Sequence, residues 1–222
     1  MYSFVPRSCP NWSRHQARLP FLIGLALPFA LFFLLFFSQS ASAAEWELQR
    51  EETGITVYTR PVPNSGIREF KGIAEVDHNA KLILALLGDS DRFKTWFPNT
   101  PESKLVERDG NVSVQYSVME APWPVSDRDN VLRSVTSHDD ETGRINIQVA
   151  AAPDAYPEQQ GRVRVKKAKG SWVLEPLSDS KTRVTFQMHL EPGGGIPEWL
   201  TNARVVDSPF EALTNMRELL AR

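Results

Sequence analysis

Segments in which apolar and polar residues alternate make up most of the chain after residue 44. A period of two is typical of strands that bury one face and expose the other. The Asn64-Ser65-Gly66 turn is typical of a hairpin loop between two such segments. The pattern predicts strands at 55–59, 67–77, 112–118, 131–135, 145–149, 163–165, 172–174 and 184–190.

A first helix is predicted between the second and third of these strands. From Leu82 to Leu87 the apolar residues recur with the three- and four-residue spacing of a helix. Asp77 or Asn79 can cap its N-terminus, because both side chains accept hydrogen bonds from free backbone N–H groups. Gly88 is expected to end it.

A second and longer helix is predicted at the C-terminal end of the chain. Pro197 is a favoured first helical residue. Pro209 falls inside the helix, and we expect a kink there because the apolar stripe continues in phase beyond it. The stripe consists of Trp199, Ala203, Val206, Phe210, Leu213, Met216 and Leu220.

These elements together predict an α+β fold. Successive antiparallel strands that are apolar on one face need a cover for that face, and the last helix is long enough to supply it. We therefore expect a strongly curved antiparallel sheet wrapped around the C-terminal helix. No repeat or linker-like stretch divides residues 44–222, which we interpret as one domain.

Residues 1–43 have the features of a signal peptide. Three arginines and no acidic residue precede an apolar run at 19–37, and small residues follow it. Ala41 and Ala43 suit a signal peptidase, so we expect cleavage after Ala43 and export to the periplasm or the medium. The alternative is an uncleaved membrane anchor, because a run of this length nearly spans a bilayer as a helix.

Composition narrows the function further. The chain carries a formal charge of −2, which becomes −5 without the three leader arginines, so a nucleic-acid-binding role is not expected. Its one cysteine, Cys9, lies in the leader. The chain after residue 43 therefore has no thiol for catalysis, for a zinc site or for a disulfide. We expect no metal and no cofactor.

Several motifs resemble those of the START domain, the lipid-transfer module related to steroidogenic acute regulatory protein. The most specific is Pro-Trp-Pro-Val-Ser-Asp-Arg-Asp at 122–129. The resemblance extends from Trp46 to Leu220. Supporting motifs are Tyr-Thr-Arg at 58–60, Pro-Asn-Ser at 63–65, Gly-Arg-Val-Arg at 161–164, Glu-Pro-Gly-Gly-Gly-Ile-Pro at 191–197 and Trp-Leu-Thr-Asn at 199–202.

The resemblance implies a helix-grip fold with an apolar tunnel between the sheet and the last helix. It also implies non-catalytic binding of one hydrophobic ligand, such as a sterol or a phospholipid. We expect a lipid-carrying monomer that contacts membranes transiently and opens at the N-terminal part of the last helix. There, three glycines at 193–195 form a flexible joint.

Two other functions stay open. Relatives of this fold include cyclases, so the chain could be a cavity enzyme that acts on a polycyclic substrate, which requires a titratable group in the tunnel. The histidines at 78, 138 and 189 lie apart, and no catalytic motif is present. The other alternative is an interaction module whose cavity has collapsed.

Residues on the predicted inner faces are the candidate ligand contacts. Arg133 stands out, because a guanidinium among apolar residues can anchor a phosphate, carboxylate or hydroxyl. Its alternative position is a sheet edge, from which the side chain reaches water. The candidates are Tyr116, Val131, Arg133, Val135, Ile147, Val149, Phe186 and Met188 on strands, and Trp199, Val206, Phe210 and Met216 on the last helix.

Two charged features have structural and functional interpretations. Arg128 and Asp129 point to opposite faces of a strand, so we expect each to pair with a different neighbour; the alternative is a contact with a ligand head group. The basic residues between Arg162 and Lys169 fit a solvent-facing strand, or else a docking patch for anionic lipids.

Overall fold

The alternating segments form ten strands of one curved sheet in the computed structural model, which describes residues 44–222. The signal-peptide interpretation of 1–43 and its anchor alternative lie outside the described residues. The strand order is β1-β2-β3-β10-β9-β7-β6-β5-β4, and β8 pairs with β6 off this path. The strands are β1 (Glu47–Glu52), β2 (Ile55–Val62), β3 (Ser65–Val76), β4 (Glu102–Asp109), β5 (Val112–Met119), β6 (Arg128–His138), β7 (Ile145–Ala151), β8 (Val163–Arg164), β9 (Lys167–Ser178) and β10 (Lys181–Glu191).

The predicted α+β helix-grip architecture is confirmed. Strand pairs are antiparallel, apart from the short parallel pair of β6 and β8, and a long C-terminal helix lies against the sheet. The sequence pattern missed β1 and β4. Both are edge strands rich in charged residues, and an edge strand that faces water does not need strict apolar alternation.

Two α-helices are present among the described residues. Helix α1 (Ala80–Gly88) is capped by Asn79, whose Oδ1 accepts the Leu82 N–H at 2.9 Å. Asn79 rather than Asp77 is therefore the cap. Ile83 and Leu86 on its inner face are buried in the core.

Helix α2 (Glu198–Leu220) continues through Pro209, as expected from the phase of its apolar stripe. Pro197 precedes the first helical residue rather than occupying that position. The helix packs on β2 and β3, where Gly72 makes a close approach possible. A Cβ atom on Gly72 would lie 2.9 Å from Cδ1 of Leu213, closer than real Cβ contacts.

An aromatic cluster fills the space at the centre of the inner face. The rings of Trp172 and Phe186 stack at 3.8 Å with an interplanar angle of 2°, and Phe70 meets Phe186 edge to face at 4.9 Å. Trp96 reaches Trp172 from the segment after α1, at 6.2 Å. Aromatic pairs of this kind stabilise the fold beyond the free energy gained by burying their apolar surface.

A second apolar cluster lies on the opposite face of β5 and β6. It contains Val114, Tyr116, Val118 and Val131, and residues 152–164 cover it. The Tyr116 ring packs against that of Tyr156 at 4.8 Å. The apolar faces of β5 and β6 thus point away from α2. The expectation that α2 covers the apolar face of every strand is therefore corrected for these two strands.

Candidate ligand-binding cavity

A cavity of about 790 Å³ lies between the inner face of the sheet and the two helices. Strands β3, β5, β6, β7, β9 and β10 form its wall, and α1 and α2 also contribute residues to the lining. Its volume is within the range of roughly 300–1,000 Å³ that is typical of small-molecule sites.

The wall changes from polar to apolar across the sheet. One row of paired residues runs in register from β5 to β3 and consists of Ser113, Ser134, Val149, Gly170, Met188 and Phe70. A ligand in this space would therefore meet hydroxyl and amide groups on one side and hydrocarbon on the other.

The polar side of the cavity wall contains buried groups that form no hydrogen bond within residues 44–222. Asn130 on β6 is 3% exposed, and its Oδ1 has no hydrogen-bond partner among residues 44–222. Ser117, directly opposite it on β5, is 4% exposed. From α2, Thr201 also reaches the lining, and its Oγ1 likewise has no partner in the described part of the chain.

The charged lining residues are exposed or half-buried, unlike Asn130. Arg68 donates to a carboxylate oxygen of Glu47 at 2.7 Å. Arg108 donates to the Gly88 carbonyl at 2.6 Å and so bridges β4 to the end of α1. Lys81 and Arg204 are exposed. The cationic groups of the lining are therefore more accessible to solvent than Asn130.

Four of the predicted ligand contacts line the cavity: Ile147, Val149, Phe186 and Met188. Strand β7 contributes the first two, and β10 contributes the others. Their contact with a ligand stays a prediction. The structure places them in the lining because the apolar faces of β7 and β10 point to the same side of the sheet as the two helices.

The structure places Tyr116, Val131, Arg133 and Val135 away from the cavity lining. These residues lie on the outer face of β5 and β6, where Arg133 is exposed to solvent. Arg133 is thus not positioned as an anchor within the cavity. The alternation of apolar and polar residues identified which face of these strands is buried, but not which part of the chain buries it. The lining residues of these strands lie on the opposite, mostly polar face, and that polar pattern was the feature of the sequence that could have identified them. They are Ser113, Gln115 and Ser117 on β5 and Asn130, Leu132, Ser134 and Thr136 on β6.

The four predicted contacts on α2 also lie outside the lining. Trp199 is 72% exposed, Phe210 and Met216 are buried in the core, and Val206 packs against it. The apolar face of α2 rests directly on β2 and β3, so only its flank reaches the cavity. That flank carries Thr201, Arg204, Val205 and Ser208.

Arg128 and Asp129 pair with different neighbours, as predicted. Asp129 accepts two hydrogen bonds from Arg164, at 3.0 and 2.8 Å, and both side chains are buried. These bonds raise the pKa of the Arg164 guanidinium above its ordinary value. Arg128 donates to the carbonyls of Ser126 and Gly193, and burial lowers its pKa.

Arg164 also fixes the segment that covers the outer face. It donates to the carbonyl oxygens of Pro153, Tyr156 and Pro157 at 2.5, 2.7 and 2.9 Å. One guanidinium therefore holds residues 153–157 against β6. Burial raises the pKa of Tyr116 underneath this segment, although its hydroxyl accepts a hydrogen bond from Arg162 at 2.5 Å.

The basic run is largely neutralised by acidic partners. Arg162 pairs with Glu102 at 2.9 Å, Arg164 with Asp129, and Lys167 with Glu191 at 2.9 Å. The residues do not share one solvent-facing side, since Arg164 is buried. This pairing weakens the interpretation of the run as a docking patch.

The joint before α2 is formed by glycines in left-handed conformations. Gly193, Gly194 and Gly195 have φ values of +65°, +67° and +71°. Alanine at any of them would be strained, so substitution to alanine is not a clean way to stiffen the joint. Within residues 44–222, neither helix is long and apolar enough to cross a membrane, and no three side chains form a metal-ligand cluster.

Comparison with known proteins agrees with this architecture. The family model for the START domain matches residues 36–222. The chain is 35% identical over 178 residues to an uncharacterized protein of Pseudomonas aeruginosa, covering 80% of this chain and 88% of that protein. It is 32% identical over 166 residues to the phosphatidylcholine transfer protein of Rattus norvegicus, covering 72% and 77%.

Solved structures give the same result. The STAR-related lipid transfer protein of Xanthomonas axonopodis superposes with a TM-score of 0.75 at 38% identity, covering 80% of this chain and 99% of that one. Human STARD10 superposes with a TM-score of 0.68 at 20% identity, covering 93% and 82%, which shows a shared fold. The chain belongs to the START domain family.

Proposed function

We propose that this protein binds one lipid-like molecule in its cavity and carries it without chemical change. The observation that best supports this proposal is a cavity of about 790 Å³ whose apolar wall is formed by β7, β9 and β10. Each Å² of apolar ligand surface that leaves water contributes about 25 cal/mol to binding. The names of the phosphatidylcholine transfer protein and the STAR-related lipid transfer protein support a lipid as the cargo.

The same geometry favours a carrier over the two alternatives. A cyclase or hydrolase needs an acid or base beside the reacting atoms. The titratable lining residues are exposed or half-buried, whereas amide and hydroxyl groups such as those of Asn130 and Ser117 are the most buried polar groups of the lining. An interaction module with a collapsed interior would not leave a space of this size.

Neighbouring residues on β6 provide a matched test of lipid binding. Ser134 faces the cavity and Arg133 faces solvent. Ser134→Phe should lower the binding capacity for a fluorescent lipid at least several-fold, because the ring fills space that the ligand needs. Arg133→Phe, its control, should leave capacity unchanged. Equal capacity in Ser134→Phe and wild type, with both variants folded by circular dichroism, would contradict the proposal.

We also propose that the protein loads and unloads its ligand at a membrane surface. Trp123 is 92% exposed and Trp199 is 72% exposed, and tryptophan side chains favour the interface between water and lipid. Trp123 precedes β6, and Trp199 opens α2. Arg128 donates to the Gly193 carbonyl at 3.0 Å and so connects the two segments that carry these side chains. The N-terminal part of α2 is the proposed gate.

Removal of both indoles tests this contact. In the double variant with Trp123→Ala and Trp199→Ala, transfer of a fluorescent lipid between vesicles should slow several-fold, while equilibrium capacity changes little. Both side chains are exposed, so their loss should cost little stability. Leu177→Ala removes another exposed apolar side chain and serves as the control. Unchanged transfer rates in the double variant would exclude these residues as the membrane contact.

The proposal also includes export of this protein from the cytoplasm. We infer that residues 1–43 direct the chain out of the cytoplasm and are then removed, from the charge and apolar pattern of the sequence. N-terminal sequencing of protein from the extracytoplasmic fraction should give a chain that starts at Ala44. A membrane-bound protein that retains Met1 would support the anchor instead.

A further inference from the structure

The uncharged polar wall of the cavity restricts the chemistry of its ligand. We propose that the ligand is a neutral lipid with a hydroxyl or amide N–H group, and that this group binds at Asn130 between β5 and β6. The inference rests on the proposed lipid-binding function and specifies the class of lipid.

Most residues that β5 and β6 direct toward the cavity are polar, with Leu132 as an apolar residue among them. Ser113 pairs in register with Ser134, and Ser117 with Asn130, so hydroxyl and amide groups face the cavity along two adjacent strands. A ligand made only of hydrocarbon would remove these groups from water without replacing their hydrogen bonds. Each such loss weakens binding, because the polar group gives up its hydrogen bond to water and gains none. A ligand with a polar group at this wall avoids the penalty.

The side chain of Asn130 determines which hydrogen-bonding groups the ligand needs at this position. Its Oδ1 has no hydrogen-bond partner among residues 44–222 and is itself shielded from solvent, and only 3% of the residue is exposed, so a ligand in the cavity reaches this oxygen when the side-chain amide rotates about its Cβ–Cγ bond. A carbonyl oxygen only accepts hydrogen bonds, so its partner must carry an O–H or N–H. A hydroxyl both donates and accepts, and so it matches either end of the Asn130 amide. Asn130 is thus placed to determine specificity.

The position of the charges disfavours a phosphate at the same place. The cationic side chains of the lining are exposed or half-buried, and two of them already bind protein oxygens: Arg68 binds Glu47, and Arg108 binds the Gly88 carbonyl. An ionised phosphate beside Asn130 would be desolvated without an equally buried cation among the described lining residues, which is strongly unfavourable. A phosphocholine head group also has no O–H or N–H to offer the Asn130 oxygen.

Pairs of lipids that differ only in one hydroxyl test the inference. The probes are fluorescent diacylglycerol and sterol, each as the free alcohol and with its hydroxyl acetylated, together with a phosphatidylcholine that carries the same fluorophore. On every scaffold that binds, the free alcohol should bind about tenfold more tightly than its acetylated form. It should also bind more tightly than the phosphatidylcholine.

Three outcomes separate the possibilities. Equal affinity for free and acetylated forms, or tightest binding of phosphatidylcholine, would overturn the inference and leave the carrier function standing. Saturable binding of none of the probes, by a protein shown to be folded, would count against both the inference and the carrier function.

The variant Asn130→Leu tests whether the preference for the free alcohol depends on Asn130. The variant keeps a similar side-chain volume but removes both hydrogen-bonding groups. Affinity for the free alcohol should fall about tenfold to that of the acetylated form, whose own affinity should not change. The thermal midpoint should stay constant or rise, because an unpaired buried amide is replaced by an apolar group.

A structural role for Asn130 predicts a different result. The midpoint would then fall, and both lipid forms would lose affinity equally, which would overturn the assignment. Leu132→Val, on the same face of β6, is the control and should affect both forms alike. Ser117→Ala is a smaller change opposite Asn130 and should reduce the preference for the free alcohol if Asn130→Leu fails to fold.

Discussion

The buried ion pair between Arg164 and Asp129 determines which face of β5 and β6 a ligand can reach. Its two hydrogen bonds, together with those from Arg164 to three carbonyls, hold residues 153–157 over the outer face of these strands. That cover buries Tyr116 and its apolar neighbours. Loss of either partner would leave an uncompensated buried charge, which typically costs about 3–5 kcal/mol. The polar face is thereby left to line the cavity.

The two covers of the sheet give the cavity its amphipathic wall. Helix α2 lies close to β3 because Gly72 has no side chain, and the contact leaves open space beside the helix. Aromatic and aliphatic residues of β7, β9 and β10 face that space from one side, and serine, threonine and asparagine residues face it from the other. A wall of this kind selects a ligand by the position of its polar group as well as by its apolar area.

The sequence was sufficient for the fold but not for the whole cavity. Periodicity located most strands and both helices, and the motif at 122–129 indicated the family. Val131 and Arg133 were assigned to the wrong side because alternation shows that one face is buried, not what buries it. Phe210 shows the same limit on a helix, since it is buried against the sheet and not beside the cavity. The pair of Arg164 and Asp129, which holds the cover on the outer face, joins residues that are 35 positions apart in the sequence.

The absence of cysteine after residue 43 makes a direct measurement of ligand position practical. Single cysteines at 132, 133, 134 and 135 can each be tested, with and without bound lipid, for the rate at which a small methanethiosulfonate reagent modifies them. Bound lipid should slow the modification several-fold at 132 and 134 and leave it unchanged at 133 and 135, because only the even positions face the cavity. Stronger protection at 133 and 135 than at 132 and 134 would contradict this arrangement.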